Sequence, residues 1–227
     1  MISVIFPLLT ACHPESVRQQ ESGNPYSRYT GMALEFPAPE PQAQDTFIPT
    51  SLALFYPVYI GPYAGKIRLD YTEKYKDTFS VIRKKAFKHP ESSSLVVFVD
   101  TGRTIPAALP EGKGMIKPQP APAKLRAYPV FLENLTDDTL KIGYGDVLSL
   151  LPVSRQNGKL CIWQHLLVYC GNNLPVIFLP PHYLAISTLN LYEGKNVHDI
   201  QIMFYAYPKT RIFSPKIKWT APKKTCH

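Results

Sequence analysis

Short apolar runs separated by turn residues fill the second half of the chain, from residue 127 to residue 218. Their length and their alternation of apolar and polar positions are typical of β-strands. The predicted strands are Ala127–Glu133, Thr139–Tyr144, Val147–Val153, Lys159–Tyr169, Val176–Leu179, Tyr183–Leu191, Asp199–Tyr207 and Arg211–Lys218. Asn157-Gly158 between two runs predicts a two-residue hairpin loop. The pattern predicts a mostly β chain folded as an antiparallel β-sandwich, immunoglobulin-like or related.

Two runs indicate which side chains face the core. Every second residue from 200 to 206 is apolar, so we expect Ile200, Ile202, Phe204 and Ala206 to point inward. The continuous apolar run that begins at Leu95 and ends before Asp100 is typical of a strand buried on both faces.

The first half of the chain has fewer strand signals. Leu52–Ile60 and Lys66–Tyr71 predict two strands, joined by a turn at Gly61-Pro62 and Gly65. Residues 72–93 fit a short helix or a basic loop equally well. Residues 105–123 contain five prolines and predict an extended Pro-rich connector. Because about three strands are marginal alone, we expect one β-sandwich domain over 47–218, followed by a basic tail at 219–227.

The N-terminal residues resemble a bacterial lipoprotein signal. Residues 1–12 form an apolar run that ends in Leu9-Thr10-Ala11-Cys12, the pattern of a lipobox whose cysteine is acylated. No Lys or Arg precedes Cys12, whereas such signals begin with a positive region. Residues 13–46 are rich in Pro, Gln, Ser and Glu and predict a flexible, disordered tether. The alternative is a buried N-terminal strand with an inert cysteine.

Charge is distributed unevenly over the 227 residues, whose net charge is +8. Residues 66–89 carry eight bases and three acids, and residues 209–227 carry six bases and no acid. The basic segments suit either a solvated surface or an anionic partner. Nucleic acid is not expected as that partner, because no recognisable binding motif accompanies the charge.

The other three cysteines do not suggest a disulfide framework. Cys161 and Cys170 are nine residues apart on one predicted strand, a span of roughly 30 Å, so they cannot pair unless the segment folds back. Cys226 could pair with either of them. We expect Cys161 and Cys170 to be packing residues.

Several short motifs occur in a characteristic order. They are Val97-Phe-Val-Asp-Thr101, Tyr128-Pro-Val-Phe-Leu-Glu-Asn-Leu-Thr136, Ile142-Gly-Tyr-Gly-Asp146, Gly158-Lys-Leu-Cys-Ile-Trp163, Cys170-Gly171, Leu179-Pro180, Leu191-Tyr-Glu-Gly194 and Arg211-Ile-Phe-Ser214. The order, over roughly residues 50–218, resembles that of an uncharacterised family of secreted or lipid-anchored proteins of Bacteroidota. Gln164-His165 and Pro215 depart from the family's pattern, so the chain resembles a divergent member. The resemblance implies a β-rich fold in the cell envelope and brings no catalytic residues.

No established catalytic or nucleotide-binding motif is present. Four carboxylates lie close together in sequence, at Glu133, Asp137, Asp138 and Asp146, but a polar turn has the same composition. The six histidines lack metal-ligand spacing. His165, His182 and His198 would form a site only if the fold brought them together. We expect no metal and no cofactor. Asn134-Leu-Thr136 matches the N-glycosylation sequon.

Aromatic residues are the remaining candidates for a contact surface. Phe55, Tyr56, Tyr59 and Tyr63 lie close together around one predicted turn, where exposed rings would stack on sugars or contact a partner protein. The alternative is that half of the rings pack in the core.

These features favour a non-enzymatic cell-envelope lipoprotein, anchored in the outer membrane through Cys12. It would be an accessory or scaffold subunit or a ligand-binding module, with an envelope protein or an anionic glycan as partner. One alternative is an envelope enzyme that acts on glycan or peptidoglycan through carboxylates of residues 133–146. A third hypothesis is a metal or small-ligand carrier that uses the three histidines.

Overall fold

The computed structural model describes residues 24–36, 55–71, 87–110, 118–120, 126–163, 176–192, 196–206 and 210–220. Within these residues the chain is mostly β, with one four-residue helix, α1 (Ser27–Thr30). The strands are β1 (Ala33–Glu35), β2 (Tyr59–Pro62), β3 (Lys66–Arg68), β4 (Leu95–Val99), β5 (Ile105–Pro106), β6 (Ala108–Pro110), β7 (Pro118–Pro120), β8 (Arg126–Asn134), β9 (Leu140–Tyr144), β10 (Val147–Leu148), β11 (Leu150–Gln156), β12 (Lys159–Ile162), β13 (Val176–Leu179), β14 (Tyr183–Asn190), β15 (Val197–Ala206), β16 (Thr210–Phe213) and β17 (Ile217–Thr220). None of the described helical structure has the length and hydropathy to cross a membrane.

Two five-stranded sheets contain most of the strands. The first sheet has the order β2-β14-β8-β4, and β5 pairs with β8 beyond the end of β4. The second sheet has the order β12-β11-β15-β16, and β17 pairs with the other half of β15. Smaller sheets join β10-β9-β13, β6-β7 and β1-β3. Only the β1-β3 pairing is parallel among the described strands, so the prediction of a β-rich chain with antiparallel sheets is confirmed.

The first cluster of buried side chains joins the two five-stranded sheets. Val130 and Leu132 of β8 belong to it, as do Ile200, Ile202 and Phe204 of β15. Ala206, the fourth residue predicted to face inward on β15, is also in the first cluster. The alternation on β15 therefore predicted the buried face of that strand correctly.

The second cluster covers the opposite face of the first sheet. Phe131, which lies between Val130 and Leu132, belongs to it, and so do Leu184 and Ile186 of β14. On β4, Val97 packs in the first cluster and Phe98 in the second. The prediction that this strand is buried on both faces is confirmed.

The hairpin predicted at Asn157-Gly158 is present. Both residues have positive φ, 50° and 76°, and the flanking Gln156 and Lys159 are paired across β11 and β12. Asn followed by Gly suits this loop because both residues tolerate the left-handed backbone conformation.

Two predicted strands are each divided in the structure. Val147–Val153 becomes β10 and β11 because the chain changes sheets at Ser149, whose N–H bonds to Ile142 and whose carbonyl accepts from Tyr205. Arg211–Lys218 becomes β16 and β17, separated at Ser214. The Ser214 hydroxyl accepts a 2.9 Å hydrogen bond from the Ile202 N–H, which replaces a ladder bond at the break.

The expectation of a disordered tether was wrong for residues 24–36. Tyr29 and Met32 are fully or almost fully buried in the second cluster, and β1 pairs with β3. Residues 13–23 and 37–46 lie outside the described part of the chain, as does Cys12.

Three further boundaries differ from the predictions. The predicted connector contains paired strands, since β5 pairs with β8 and β6 pairs with β7. Gly61-Pro62, predicted as a turn, lies in β2. Trp219, assigned to the basic tail, is 1% exposed and belongs to β17, because its indole fills the first cluster.

Cys161 is buried and disulfide-bonded. The expectation that it is only a packing residue was therefore wrong. The chain contains three other cysteines, Cys12, Cys170 and Cys226, and all of them lie outside the described residues.

Candidate ligand-contact surface

Two of the four aromatic residues predicted to form a contact surface are buried. Phe55 is 1% exposed and belongs to the first cluster, whereas Tyr56 is 0% exposed and belongs to the second. That prediction was wrong for both, because the strand signal around them reflected core packing on the two faces of one sheet.

Tyr59 and Tyr63 lie nearer the surface but have structural hydrogen bonds. The Tyr59 hydroxyl donates to the Pro62 carbonyl at 2.7 Å, and burial raises the pKa of its phenol. The Tyr63 hydroxyl donates to the Arg28 carbonyl at 3.0 Å. This bond attaches α1 to the residue that follows β2, so the Tyr63 side chain is only partly available to a ligand.

The N-terminal segment, residues 24–36, is attached to the first sheet by stacked rings. Tyr26 stacks on Phe98 with ring centroids 4.7 Å apart, and Tyr29 stacks on the same ring at 5.3 Å. Tyr29 also packs against Phe131 at 5.3 Å. Offset and tilted aromatic pairs at these distances add attraction beyond the area they bury.

One ion pair and several hydrogen bonds reinforce this attachment. The Arg28 guanidinium lies 2.6 Å from Oε2 of Glu133, and the Tyr29 hydroxyl donates to the same carboxylate oxygen. Burial, and then the bond to Glu133, raise the pKa of Tyr29 well above its usual range. Arg103 donates to the carbonyls of Met32 and Tyr29, the latter at 2.7 Å. These groups link α1 to the sheet and give Oε2 of the buried Glu133 carboxylate two partners.

The carboxylates predicted as an alternative active site have separate partners. Glu133 is the buried one and pairs with Arg28. Asp137 is exposed and lies 2.8 Å from the His182 imidazole, and Asp138 lies 2.7 Å from the Lys88 ammonium. Neither of these two faces inward beside Glu133 as an unpaired acid.

The three histidines do not form a cluster in the described structure. His165 lies outside the described residues, and His182 pairs with Asp137. The His198 ring lies 4.3 Å from the ring of Trp163. No group of three or more potential metal ligands occurs in the part of the chain that the structure describes.

Asn134, the residue of the glycosylation sequon, is 0% exposed. Its amide nitrogen donates to the carbonyls of Asp138, Leu179 and Pro180, and its oxygen accepts from the backbone and hydroxyl of Thr136. The side chain therefore links the turn after β8 to the end of β13. It is inaccessible to a modifying enzyme in the folded protein.

A surface of exposed rings and one lysine occurs elsewhere, beside β9. We call it the aromatic–lysine surface and define it as Phe87, His89, Lys141 and Tyr144. Phe87 and Tyr144 are 41% and 43% exposed. The Lys141 ammonium lies 3.8 Å from the centroid of the Tyr144 ring and 5.8 Å from that of Phe87. His89 meets the Phe87 ring edge-on, with the ring centroids 5.8 Å apart.

A β-bulge places Lys141 and Tyr144 together. In a regular strand, residues three apart point to opposite faces. Opposite β13, however, Ile177 pairs with Gly143 and Phe178 with Lys141, so Ile142 is an extra residue on β9. The extra residue shifts the alternation by one position. A Cβ atom at Gly143 would collide with the carbonyl of Val147, so a glycine is needed where β9 approaches β10 so closely.

Phe87 reaches this surface because its neighbour pairs with β9. The Lys88 N–H donates to the Thr139 carbonyl at 3.0 Å, and Lys88 forms a parallel bridge with Leu140. Sequence reasoning left Phe87 in an ambiguous segment and did not connect Lys141 with Tyr144. The glycine at 143, inside a predicted strand, was the available signal, because such glycines often mark bulges.

Comparison with protein-family models, with curated proteins and with solved structures found no match to this chain. The functional argument therefore depends on the residues and their geometry.

Proposed function

We propose that the protein is a non-enzymatic lipoprotein of the cell envelope, anchored in the outer membrane through Cys12. Its folded part is a β-sandwich that acts as a ligand-binding or accessory module. The observation that carries this proposal is the disulfide at Cys161. Disulfides persist in oxidising compartments such as the periplasm and the cell surface, and they are rare in the cytosol.

The sandwich architecture is supported by the first cluster. Apolar side chains of both five-stranded sheets enter it, which is the arrangement of two sheets packed face to face. The sequence before Cys12 supports the anchor, since Leu9-Thr10-Ala11-Cys12 matches a lipobox.

The attachment of the N-terminal segment determines how far such an anchor would reach. Eleven residues separate Cys12 from Asn24, the first described residue. A fully extended chain of that length spans at most about 40 Å. The proposed module would therefore lie close to the membrane, with α1 on the side nearer the anchor.

The test is the intact mass of the protein purified from membranes of its native cells. We expect a chain that begins at Cys12 and carries the added mass of acyl chains, whereas a Cys12→Ser variant should remain unacylated and leave the membrane fraction. Recovery of an unmodified chain from the soluble fraction would overturn the anchor.

The compartment has an independent test. Thiol alkylation without reductant, followed by peptide mass spectrometry, should leave Cys161 unlabelled, and labelling should appear after reduction. An alkylated Cys161 in the unreduced native protein would remove the main support for an oxidising compartment.

A further inference from the structure

We propose that the aromatic–lysine surface binds a glycan that contains uronic acid residues. This inference rests on the proposed function, because it assigns a ligand class to the envelope module. It follows from the chemistry of four side chains and of the small cavity beside them.

The first element of the site is a pair of rings in solvent. Phe87 and Tyr144 are each about two-fifths exposed, although both rings also pack against neighbours. A flat, apolar ring in water is suited to stack on the C–H face of a pyranose, with little conformational entropy to lose.

The second element is an available positive charge between the rings. Among the described lysines, Lys66, Lys88 and Lys218 have their ammonium groups within 2.9 Å of a carboxylate, whereas the exposed Lys159 and Lys216 lie away from these rings. Lys141 has no carboxylate partner among the described residues, and its ammonium lies against the face of Tyr144 instead. A carboxylate that approaches Lys141 would therefore form a charge-assisted hydrogen bond without displacing an existing ion pair.

The third element is a cavity of about 20 Å³ beside Lys141 and Tyr144, lined in addition by His89, Ser149 and Tyr205. That volume holds about one water-sized group. It admits a hydroxyl or one oxygen of a carboxylate that lies beside Lys141.

These elements match one ligand. A uronic acid carries its carboxylate directly on the pyranose ring, so stacking on Phe87 or Tyr144 brings the charge close to Lys141. Neutral sugars would use only the rings, and an acidic polypeptide would use only the lysine.

The experiment measures binding of the purified full chain to polygalacturonate and to alginate by affinity electrophoresis and calorimetry. Fully methyl-esterified polygalacturonate serves as the uncharged control, and poly-L-glutamate serves as the acidic peptide control. We expect binding to both uronates, at least tenfold weaker binding to the ester and to poly-L-glutamate, and weaker uronate binding as salt concentration rises.

Variants test the contributions of the charge and of the two rings. Lys141→Gln, Phe87→Ala and Tyr144→Ala should each weaken uronate binding at least tenfold. Lys66→Gln and Phe36→Ala, which change an exposed lysine and an exposed ring elsewhere, should leave it unchanged. Lys141→Met preserves the aliphatic stem, so it reports the charge if a more polar variant perturbs the fold.

Three results would overturn the proposal. They are no binding to either uronate, equal binding of the methyl ester, and binding of poly-L-glutamate that matches the uronates and depends on Lys141. The acyl mass on Cys12 is measured separately. A failed binding assay with an acylated chain refutes this inference alone, whereas an unacylated soluble chain refutes the envelope proposal.

Discussion

The two faces of the first sheet are both buried, but by different kinds of partner. One face packs against the second sheet through aliphatic residues such as Leu132, Ile202 and Ala185. The other is covered by the N-terminal segment and by residues 56–71, which contribute aromatic rings, tyrosine hydroxyls and the Arg28 guanidinium. The first interface depends mainly on apolar burial, with one hydrogen bond from each of its two buried indoles, Trp163 and Trp219. The second combines burial with an ion pair and hydrogen bonds between the N-terminal segment and the sheet. The second should therefore respond to pH and to single polar substitutions.

Adjacent residues of β8 give the strongest test of this difference. Phe131→Ala creates a cavity in the second cluster, where the ring contacts Tyr29 and Phe98. Leu132→Ala creates a cavity in the first cluster. We expect losses of about 3–5 kcal/mol for Phe131→Ala and about 2–5 kcal/mol for Leu132→Ala in the free energy of unfolding. Urea denaturation measures both.

The two variants should differ in what else changes. Phe131→Ala should also expose the N-terminal segment to proteolysis, whereas Leu132→Ala should not do so before global unfolding. A loss below about 1 kcal/mol for Phe131→Ala would show that the second face is not a packed interface.

Sequence patterns predicted the first interface better than the second for a physical reason. The inward residues of β15 follow a period of two, and the loop at Asn157-Gly158 is determined by local backbone preference. Tyr29 lies in a polar, proline-containing segment, and its partner Glu133 is 104 residues away. No local pattern encodes such a pairing.

The candidate site was missed for a related reason. The bulge on β9 depends on the register with β13, which the alternation within one strand does not reveal. A regular alternation in the predicted strand Thr139–Tyr144 would place Lys141 and Tyr144 on opposite faces. Phe55 and Tyr56 were predicted to share a surface, although each packs in a different cluster.

Alkaline pH should weaken the second interface selectively. Tyr29 and Tyr71 are buried there, and burial raises the pKa of both phenols far above the ordinary value of 10.0. Above pH 10 the unfolded chain releases these protons while the folded protein retains them. The free energy of unfolding should therefore fall, by about 1.4 kcal/mol per pH unit for each tyrosine.

Urea denaturation between pH 9 and pH 11 measures this slope. Tyr71→Phe removes one titrating group. The free energy of unfolding should then fall less steeply with pH, by about 1.4 kcal/mol per pH unit. An equal slope in the wild-type protein and in Tyr71→Phe would mean that the Tyr71 phenol does not contribute to the alkaline limit.

The smallest expected effect tests the charge in the second interface. Glu133→Gln preserves the size of the side chain but removes its ion pair with Arg28, which lies at 2.6 Å, and weakens the bond from Tyr29. We expect a loss of about 1–2 kcal/mol, since the group is buried whereas Arg28 can turn to water. Glu35→Gln is the matched control, because its pair with Lys66 is exposed and should contribute less than about 0.5 kcal/mol.

Limited trypsin digestion gives this comparison a local measurement. If Glu133 holds α1 in place, Glu133→Gln should speed cleavage after Arg28 more than it changes global unfolding, and Glu35→Gln should not. Equal cleavage rates in the two variants would assign the attachment of the segment to the stacked rings of Tyr26, Tyr29 and Phe98 alone. The charged groups would then determine only the orientation of α1, and the two faces of the sheet would differ less in their energetics than in their composition.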